Sequence, residues 1–409
     1  MSLTSLIVDF NSYFASVEQQ LEPRLRGRPI AVVPMMAEST CAIAASYEAK
    51  AFGVKTGTLV RDARRMCPGI VFLEARHEAY IKMHHELIAA VNTCMHVEEV
   101  LSIDEMLCPL TGRYQNREDA VELARKIKAA IYAQVGECLR CSIGIAPNAF
   151  LAKTASDMQK PDGLIVIEKH ELPQVLFSLK LRDLCGIGEA MEERLHAARI
   201  ETVEQLCTAP KSVLHAAWGS VQGNRMYEML QGNPVPHFAT QRTTVGHSHV
   251  LPPAQRNETD AFAVLQRLLQ KAAMRLRDMK YVAASLALTV KYPNRGKWHD
   301  NISFNETDDT LDLIHAMQKL WDKRPPKLGS PMFVGVALNQ IIPREHATGS
   351  LFPEGRNREK LNQVMDKLNQ RYGRKSAYFG GAHSALGSGN TRIAFTHVPD
   401  LKLEDTERG

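Results

Sequence analysis

At 409 residues, the chain is long enough to form several domains rather than one. Hydrophobic residues make up 44% of it and charged residues 23%, which is typical of a soluble globular protein and argues against a disordered chain. No apolar run approaches the roughly 18 residues of a membrane span, and no basic leader precedes the first apolar segment. We therefore expect neither a membrane partner nor a signal peptide.

Charge is unevenly distributed along the chain. Residues 241–400 contain 23 Lys and Arg against 14 Asp and Glu, whereas the whole chain has a formal net charge of only +5. The C-terminal region is therefore basic and the remainder slightly acidic, which fits a polyanionic partner held by the C-terminal region. An ordinary solvated surface is the alternative.

The eight cysteines are scattered, and none follows Cys207. This is a poor disulfide framework and indicates a reducing, cytoplasmic setting. Cys138 and Cys141 have the spacing of a zinc-binding pair, but no second Cys or His pair lies near them. Packing within a strand is the favoured interpretation.

Strand-like and helix-like runs alternate over the first ~165 residues. We predict strands at 3–8, 29–34, 70–73, 97–103 and 141–145, and helices at 78–96, 117–135 and 149–158. This order indicates an α+β layer in which helices cover one face of a sheet.

Acidic residues follow two of the predicted strands. Asp9 comes after the first strand, and Asp104 and Glu105 come after the strand at 97–103. Neighbouring strands would bring these carboxylates to one edge of a sheet, where they would repel one another unless cations lay among them. Such a cluster suits two Mg²⁺ ions, the equipment for phosphoryl transfer.

Short helices and glycine-containing turns are predicted for residues 166–236. Gly186-Ile187-Gly188 is typical of a helix-hairpin-helix, whose second helix, at 189–198, would direct its N-terminal N–H groups at a phosphate. A simple turn without DNA contact is the alternative for so short a motif. A weaker second hairpin is predicted at 218–223.

A proline-containing linker precedes residues 243–342, which have the order strand, helix, strand, strand, helix, strand. The predicted elements are 244–250, 260–279, 282–292, 298–304, 311–321 and 333–342. This order fits a ferredoxin-like split βαβ unit. A helix at 359–372 and a flexible tail complete the chain.

Four segments occur in one order: residues 6–14 (LIVDFNSYF), 46–54 (SYEAKAFGV), 101–106 (LSIDEM) and 152–161 (AKTASDMQKP). Together they closely resemble the Y-family translesion DNA polymerases, of the DNA polymerase IV type, over residues 3–342. The resemblance implies a right-hand, multidomain α+β polymerase. Its implied parts are a ferredoxin-like palm (1–22 and 76–165), small fingers (23–75), a helical helix-hairpin-helix thumb (166–236), a linker (237–242), a ferredoxin-like little finger (243–342) and a C-terminal extension (343–409).

The resemblance also implies an activity. The enzyme would add dNTPs to a primer 3′-hydroxyl by two-metal phosphoryl transfer, with low fidelity and low processivity, in DNA damage tolerance. Primer-template DNA and dNTPs are the implied partners, and the bacterial cytoplasm, at the nucleoid, is the implied location. The alternative is a catalytically weak or inactive adaptor in a mutagenesis complex. A nucleotide cyclase can share an acidic palm-like sheet, but it needs no DNA-binding thumb.

Roles are carried over residue by residue. The catalytic and metal-binding set, for two Mg²⁺ ions or alternatively Mn²⁺, is Asp9, Asp104, Glu105 and the backbone carbonyl of Phe10. The nucleotide-binding set is Phe14, the steric gate against a ribose 2′-hydroxyl, with Tyr13, Tyr47, Lys50 and Lys160. The DNA-binding set of the thumb is Gly186, Ile187 and Gly188.

Four positions depart from the family pattern. Asn11 stands where an acidic residue is frequent, and Ala44 where a hydroxyl residue commonly touches the triphosphate. Lys50 replaces a common Arg, which reduces a bidentate phosphate contact to a point charge, and Ala149 replaces a common Lys. These departures concern efficiency and nucleotide affinity rather than the metal site.

A short peptide in the C-terminal extension resembles the sliding-clamp motif of bacterial polymerases. It comprises Ser350, Leu351 and Phe352, but the motif usually begins with Gln, where this chain has Thr348. A sliding clamp is therefore a candidate partner, and a loop with two apolar anchors is the alternative.

Overall fold

The computed structural model describes residues 3–38, 40–235, 243–293, 296–325, 329–348, 353–373 and 376–387. They fall into two compact units, one containing residues 3–235 and the other residues 243–387. Each unit has its own hydrophobic core. The predicted linker at 237–242 lies outside the described residues.

The first unit contains eight strands and ten α-helices among its described residues. The strands are β1 (Ser5–Phe10), β2 (Ile30–Val33), β3 (Ala44–Ala45), β4 (Val71–Glu74), β5 (Glu99–Ser102), β6 (Glu105–Pro109), β7 (Cys141–Ala146) and β8 (Leu164–Val166). The helices are α1 (Tyr13–Leu21), α2 (Tyr47–Lys50), α3 (Val60–Met66), α4 (His77–Asn92), α5 (Arg117–Gln134), α6 (Ala149–Met158), α7 (Glu189–Ala197), α8 (Val203–Thr208), α9 (Lys211–Trp218) and α10 (Val221–Leu230).

The larger sheet of this unit has the order β5-β6-β1-β7-β8. Strand β1 is central and antiparallel to both β6 and β7, and β8 runs parallel to β7. Every residue of β1 is buried, because α6 packs against β1 and β7. Strands β1, β5, β6 and β7 thus form the predicted ferredoxin-like sheet. A second, three-stranded sheet, β3-β2-β4, has a small core of its own.

The acidic pair lies at a hairpin turn and not at the end of a long strand. The strand predicted at 97–103 ends at Ser102, and Glu105 begins β6, a strand that the sequence analysis missed. Ser102 accounts for the turn, because its hydroxyl donates to the Asp104 carboxylate at 2.6 Å and accepts from the Asp104 N–H at 3.4 Å. Local side-chain bonds of this kind compete with the regular β-ladder.

Two helical hairpins make up much of residues 181–230. In the first, Gly186 has a φ of +85°, which glycine adopts without strain, and Gly188 is the N-cap of α7. In the second, α9 and α10 pack so closely that a Cβ on Gly223 would lie 2.1 Å from the Leu214 carbonyl oxygen. The second hairpin, predicted at 218–223, is therefore present.

The second unit follows the predicted order. It contains β9 (Thr244–Val250), α11 (Glu258–Asp278), β10 (Tyr281–Tyr292), β11 (Gly296–Thr307), α12 (Thr310–Asp322), β12 (Phe333–Asn339), β13 (Ile342–Pro343) and α13 (Pro353–Tyr372). The sheet has the order β11-β10-β12-β9, with all neighbours antiparallel. One strand lies between β9 and β10 and another between β11 and β12, so both βαβ units are split.

The C-terminal part is more ordered than predicted. Helix α13 begins at Pro353 rather than at 359, and residues 376–387, predicted as the start of a flexible tail, pack against α11. Arg267 explains this packing, because its guanidinium donates to the carbonyls of Ala385 and Leu386. Among the described residues, no helix combines the length and apolar character needed to cross a bilayer.

Candidate active site

Asp9 and Glu105 lie directly opposite each other in the antiparallel pairing of β1 and β6. The Asp9 side chain is almost fully buried and that of Glu105 is half-buried. The backbone N–H of Phe10 donates to the carbonyl of Asp104 at 2.8 Å. The structure therefore brings together the two sequence segments that carry the predicted catalytic carboxylates.

Two lysines neutralise this group of carboxylates. The Lys153 ammonium lies 2.5 Å from Asp9 Oδ2, 3.1 Å from Glu105 Oε1 and 2.9 Å from Asp157 Oδ2. The Lys160 ammonium lies 2.8 Å from Asp9 Oδ2 and 2.7 Å from Asp157 Oδ1. Both lysines belong to the segment at 152–161, of which the sequence analysis assigned only Lys160 a role.

Asp104 faces Ser102 rather than the lysines, through the hydrogen bond described above. Within the described residues, no three His, Cys, Asp or Glu side chains are arranged so that they would hold a metal ion. Asp9 and Glu105 already share one cation, the ammonium of Lys153.

Burial is the largest influence on the pKa values of Asp104 and Glu105. It raises the pKa of Asp104, and the nearby Asp9 raises it further, although the Ser102 hydrogen bond opposes both effects. Burial also raises the pKa of Glu105, against the opposing charge of Lys153. For Lys153 itself burial lowers the pKa, but the surrounding carboxylates outweigh burial and hold the pKa well above its usual value. The charge of Lys153 therefore offsets part of the effect that burial has on the pKa of Glu105.

The predicted nucleotide-binding residues Tyr47, Lys50 and Lys160 lie beside the acidic cluster. The Lys50 ammonium lies 4.4 Å from the centroid of the Tyr47 ring. The pKa of Lys50 is lowered by burial and then by the charge of Lys160, whereas Asp9 opposes both. Two cations and a phenol thus border the carboxylates, an arrangement suited to a polyanion.

The predicted steric gate, Phe14, lies on α1 and is held by its packing. Its ring is almost fully buried and stacks on the Tyr80 ring, with centroids 4.6 Å apart and planes 26° apart. Tyr13 is also buried, and its hydroxyl donates to the Tyr80 carbonyl at 2.6 Å. That hydrogen bond gives Tyr13 a structural role in addition to the nucleotide contact predicted for it.

The first hairpin borders the same site. Lys153 and Asp157 line a shallow surface pocket together with the loop at 182–188, which contains Gly186, Ile187 and Gly188. Ile187 is buried in the core of the unit, whereas both glycines are exposed. The glycine backbone is therefore accessible beside the acidic cluster.

One of the departures, Asn11, has a structural explanation. The Asn11 amide donates to Ser142 Oγ at 3.1 Å, and its carbonyl oxygen accepts from the Asp162 N–H at 2.8 Å. It thus holds the turn after Lys160 against β7. Asn148, just before Ala149, caps α6 by accepting from the Leu151 N–H at 2.9 Å.

This chain is similar in sequence to known protein families and to individual DNA polymerases. Residues 8–157 match the impB/mucB/samB family, residues 242–351 match the C-terminal domain of that family, and residues 182–233 match the thumb domain of DNA polymerase iota. DNA polymerase IV of Moorella thermoacetica is 34% identical over 378 residues, which cover 90% of this chain and 94% of that protein. DNA polymerase IV 1 of Bacillus subtilis is 31% identical over 383 residues and 90% of each chain.

Solved structures of DNA polymerases have a fold similar to that of this chain. A Y-family DNA polymerase chimera is 25% identical with a TM-score of 0.69, and the match covers 83% of this chain and 99% of that one. An insertion ternary complex of Dbh DNA polymerase has the same identity and coverage with a TM-score of 0.56. The chain belongs to the Y-family of DNA polymerases. Like its relatives, this Y-family member is a template-directed DNA polymerase of the translesion type, as predicted. None of these similarities favours the adaptor alternative.

The sequence analysis missed three polar residues of this Y-family site: Ser102, Lys153 and Asp157. Ser102 holds Asp104, Lys153 forms the ion pairs with Asp9 and Glu105, and Asp157 is a further partner of Lys153. The i, i+4 spacing of Lys153 and Asp157 on the predicted helix at 149–158 was an available signal, because such residues lie on one helical face. The pairing with Asp9 was not, since it depends on how α6 packs on β1.

Proposed function

We propose that Asp9, Asp104 and Glu105 hold two Mg²⁺ ions, with Mn²⁺ as an alternative, during DNA synthesis. The donor set fits these ions, because Mg²⁺ prefers carboxylate oxygens. The observation that carries the proposal is the register, which places Asp9 opposite Glu105 with Asp104 in the adjoining turn. In this assignment the Asp104 carboxylate contributes beside Asp9 and Glu105, and the carbonyl of Phe10 supplies a further oxygen.

The bound ions would activate the primer hydroxyl and neutralise the triphosphate and pyrophosphate charge. The chain itself orients the reactants. In our proposal Tyr47, Lys50 and Lys160 grip the triphosphate, with both ammonium groups acting as point charges. Tyr13 and Phe14 form the wall beside the sugar, and the Phe14 ring excludes a 2′-hydroxyl. The stacking of Phe14 on Tyr80 supports this role, since a gate must resist displacement.

Both units offer surfaces for primer-template DNA. In the first, Gly186 and Gly188 would let a phosphate approach the N-terminal N–H groups of α7, with Ile187 anchoring the loop. In the second, Lys291 and Lys297 are direct cross-strand partners of β10 and β11, and both are exposed. Like charges opposite each other destabilise a sheet, and a phosphate between them would remove the repulsion.

The remaining expectations are proposals of the same kind. The palm, fingers, thumb and little finger have the boundaries given above, and synthesis has low fidelity and low processivity in DNA damage tolerance. The enzyme works in the bacterial cytoplasm at the nucleoid. The candidate clamp peptide, Ser350, Leu351 and Phe352, lies outside the described residues and stays a prediction.

Primer extension tests the proposal. Wild type should extend a primer on an undamaged template with Mg²⁺ and four dNTPs, whereas Asp104→Ala should add no detectable nucleotide while still binding DNA. Glu98→Gln is the matched control, because it removes an exposed carboxylate just before the same hairpin. Extension by Asp104→Ala at the wild-type rate would show that the metal assignment is wrong.

A further inference from the structure

Lys153 occupies an unusual position for a lysine. Its side chain is only 14% exposed, and its ammonium contacts Asp9 on β1, Glu105 on β6 and Asp157 on its own helix. Lysine is rarely buried unless it is paired, and here it has three carboxylate partners. Burial of Asp9 without a cation would be strongly unfavourable. The ammonium is therefore a structural counter-ion of the acidic cluster.

The Lys153 ammonium and a metal ion would compete for the same oxygens. Asp9 Oδ2 and Glu105 Oε1 both lie within 3.1 Å of this ammonium, and both residues belong to the proposed metal-binding set. The ammonium bridges these two oxygens and therefore fills the space in which a metal ion bridging them would lie. A metal ion that enters this space would also repel the ammonium at close range, so we expect Lys153 to move when metal binds.

We propose that Lys153 is an internal counter-ion that holds the acidic cluster together without metal and is displaced from Asp9 and Glu105 when metal binds. The inference rests on the metal assignment made under the proposed function. In this exchange of cations, the Lys153 ammonium and the metal ions alternate on the same carboxylates.

Asp157 makes the exchange feasible. It lies one turn after Lys153 on α6 and is more exposed than Asp9, with 36% of its side chain accessible against 4%. Lys153 therefore keeps one carboxylate partner after it leaves the other two, and its positive charge stays paired. A flexible lysine stem suits this movement better than the planar guanidinium of arginine.

Lys160 extends the same exchange to the nucleotide. It shares Asp9 Oδ2 with Lys153 and also contacts Asp157. Metal binding at Asp9 would release Lys160 toward the triphosphate, so metal and nucleotide should each favour the binding of the other.

Two measurements on the full-length chain test the proposal. Electron paramagnetic resonance measures the binding of Mn²⁺ alone, and thermal melts compare stability in EDTA with stability in Mg²⁺. Lys153→Met should bind Mn²⁺ roughly threefold or more tightly than wild type, because the competing cation is gone. It should also melt earlier than wild type in EDTA, and Mg²⁺ should narrow that gap. Lys153→Gln can still donate a hydrogen bond to the carboxylates. It should also bind Mn²⁺ more tightly than wild type, and it should be more stable than Lys153→Met.

Lys128→Met is the matched control, because it removes an equal charge from a lysine that pairs with Asp162 outside the cluster. It should behave as wild type in both measurements. Equal Mn²⁺ affinity and equal EDTA stability for the Lys153 and Lys128 variants would overturn the inference. A wild type and an Asp104→Asn variant that bind Mn²⁺ alike would instead overturn the metal assignment, and the EDTA melts would still decide whether Lys153 is a counter-ion.

Discussion

Asp9 and Glu105 are partners in the antiparallel pairing of β1 with β6, although they are far apart in the sequence. Side chains alternate between the faces of a sheet, so a slip of one residue would move one of these carboxylates to the opposite face. The turn at Ile103 and Asp104, between β5 and β6, is tied to the end of β1 by the Phe10 N–H, which donates to the Asp104 carbonyl at 2.8 Å. The geometry of the candidate site therefore depends on what holds the turn in place.

Replacing Phe14 with Ala should admit ribonucleotides, because the ring would no longer collide with a 2′-hydroxyl. We expect the preference for dNTPs over rNTPs, measured as the ratio of kcat/KM values, to fall roughly tenfold or more. The substitution should also destabilise the unit by about 3 kcal/mol, because it removes a buried ring. Phe14→Val should show a smaller effect on both quantities.

Tyr13→Phe is the control for this measurement. It deletes the hydroxyl that donates to the Tyr80 carbonyl but keeps both rings of the wall. Sugar selection should then stay close to that of wild type. An unchanged dNTP preference in Phe14→Ala would place the gate at another residue.

Gly188→Ala should weaken DNA binding without unfolding the protein. Gly188 has an ordinary φ of −89°, and a Cβ there would meet no atom of the chain within 4 Å. A phosphate that approaches the start of α7 would meet the new methyl group. Fluorescence anisotropy with primer-template DNA should show a lower affinity, and the melting temperature should not change.

Gly380→Ala matches this variant, since Gly380 also has open space around its Cβ position and lies in the other unit. Its DNA affinity should equal that of wild type. If Gly188→Ala binds DNA as wild type does, the hairpin is a simple turn between helices, which was the alternative interpretation of the sequence.

Helix α6 shows what the sequence could predict. Its bounds, Ala149–Met158, are those expected, because Asn148 supplies a local cap that is visible in the sequence. The start of β6 was missed because residues 101–106 are uniformly strand-like apart from the acidic pair. Only the hydrogen bonds between Ser102 and Asp104 reveal the turn.

Long-range polar contacts were the least predictable part of the site. The ion pair between Lys153 and Asp9 joins elements that are distant in sequence, and no local pattern encodes it. The segment at 376–387 was misjudged for a related reason. Its Gly, Ser and Ala composition indicates a loose chain, but Arg267 on another element fixes its carbonyls.

Asp366→Asn should loosen α13 from the second unit. Asp366 accepts two hydrogen bonds from Arg277, at 2.6 and 2.8 Å, and the Arg277 side chain is only 10% exposed. The guanidinium keeps its hydrogen bonds to the Asp308 carbonyl and the Thr310 hydroxyl, so loss of its charged partner should lower the free energy of unfolding by about 2 kcal/mol. Urea unfolding measures this loss, and hydrogen exchange of residues 357–372 should increase.

Arg358→Gln is the comparison for that variant, because it breaks an exposed ion pair of α13 with Asp312. Exposed pairs contribute about 1 kcal/mol or less. Equal losses for the two variants would mean that the Arg277 pair does not anchor the helix.

His84 should make stability depend on pH, because it contacts the turn at Ile103 and Asp104. Its Nδ1 lies 2.7 Å from the Ile103 carbonyl oxygen, and burial lowers its pKa from 6.5 to about 4. Between pH 6.5 and pH 4, the unfolded chain therefore binds a proton at His84 that the folded chain does not bind. Stability is complete above pH 6.5 and falls as the pH decreases toward 4, by about 2 kcal/mol at pH 5. Urea unfolding at pH 7 and pH 5 should show this loss in wild type and in an exposed-site control, His85→Gln, but a smaller loss in His84→Gln. The same loss in all three would exclude His84 as its source.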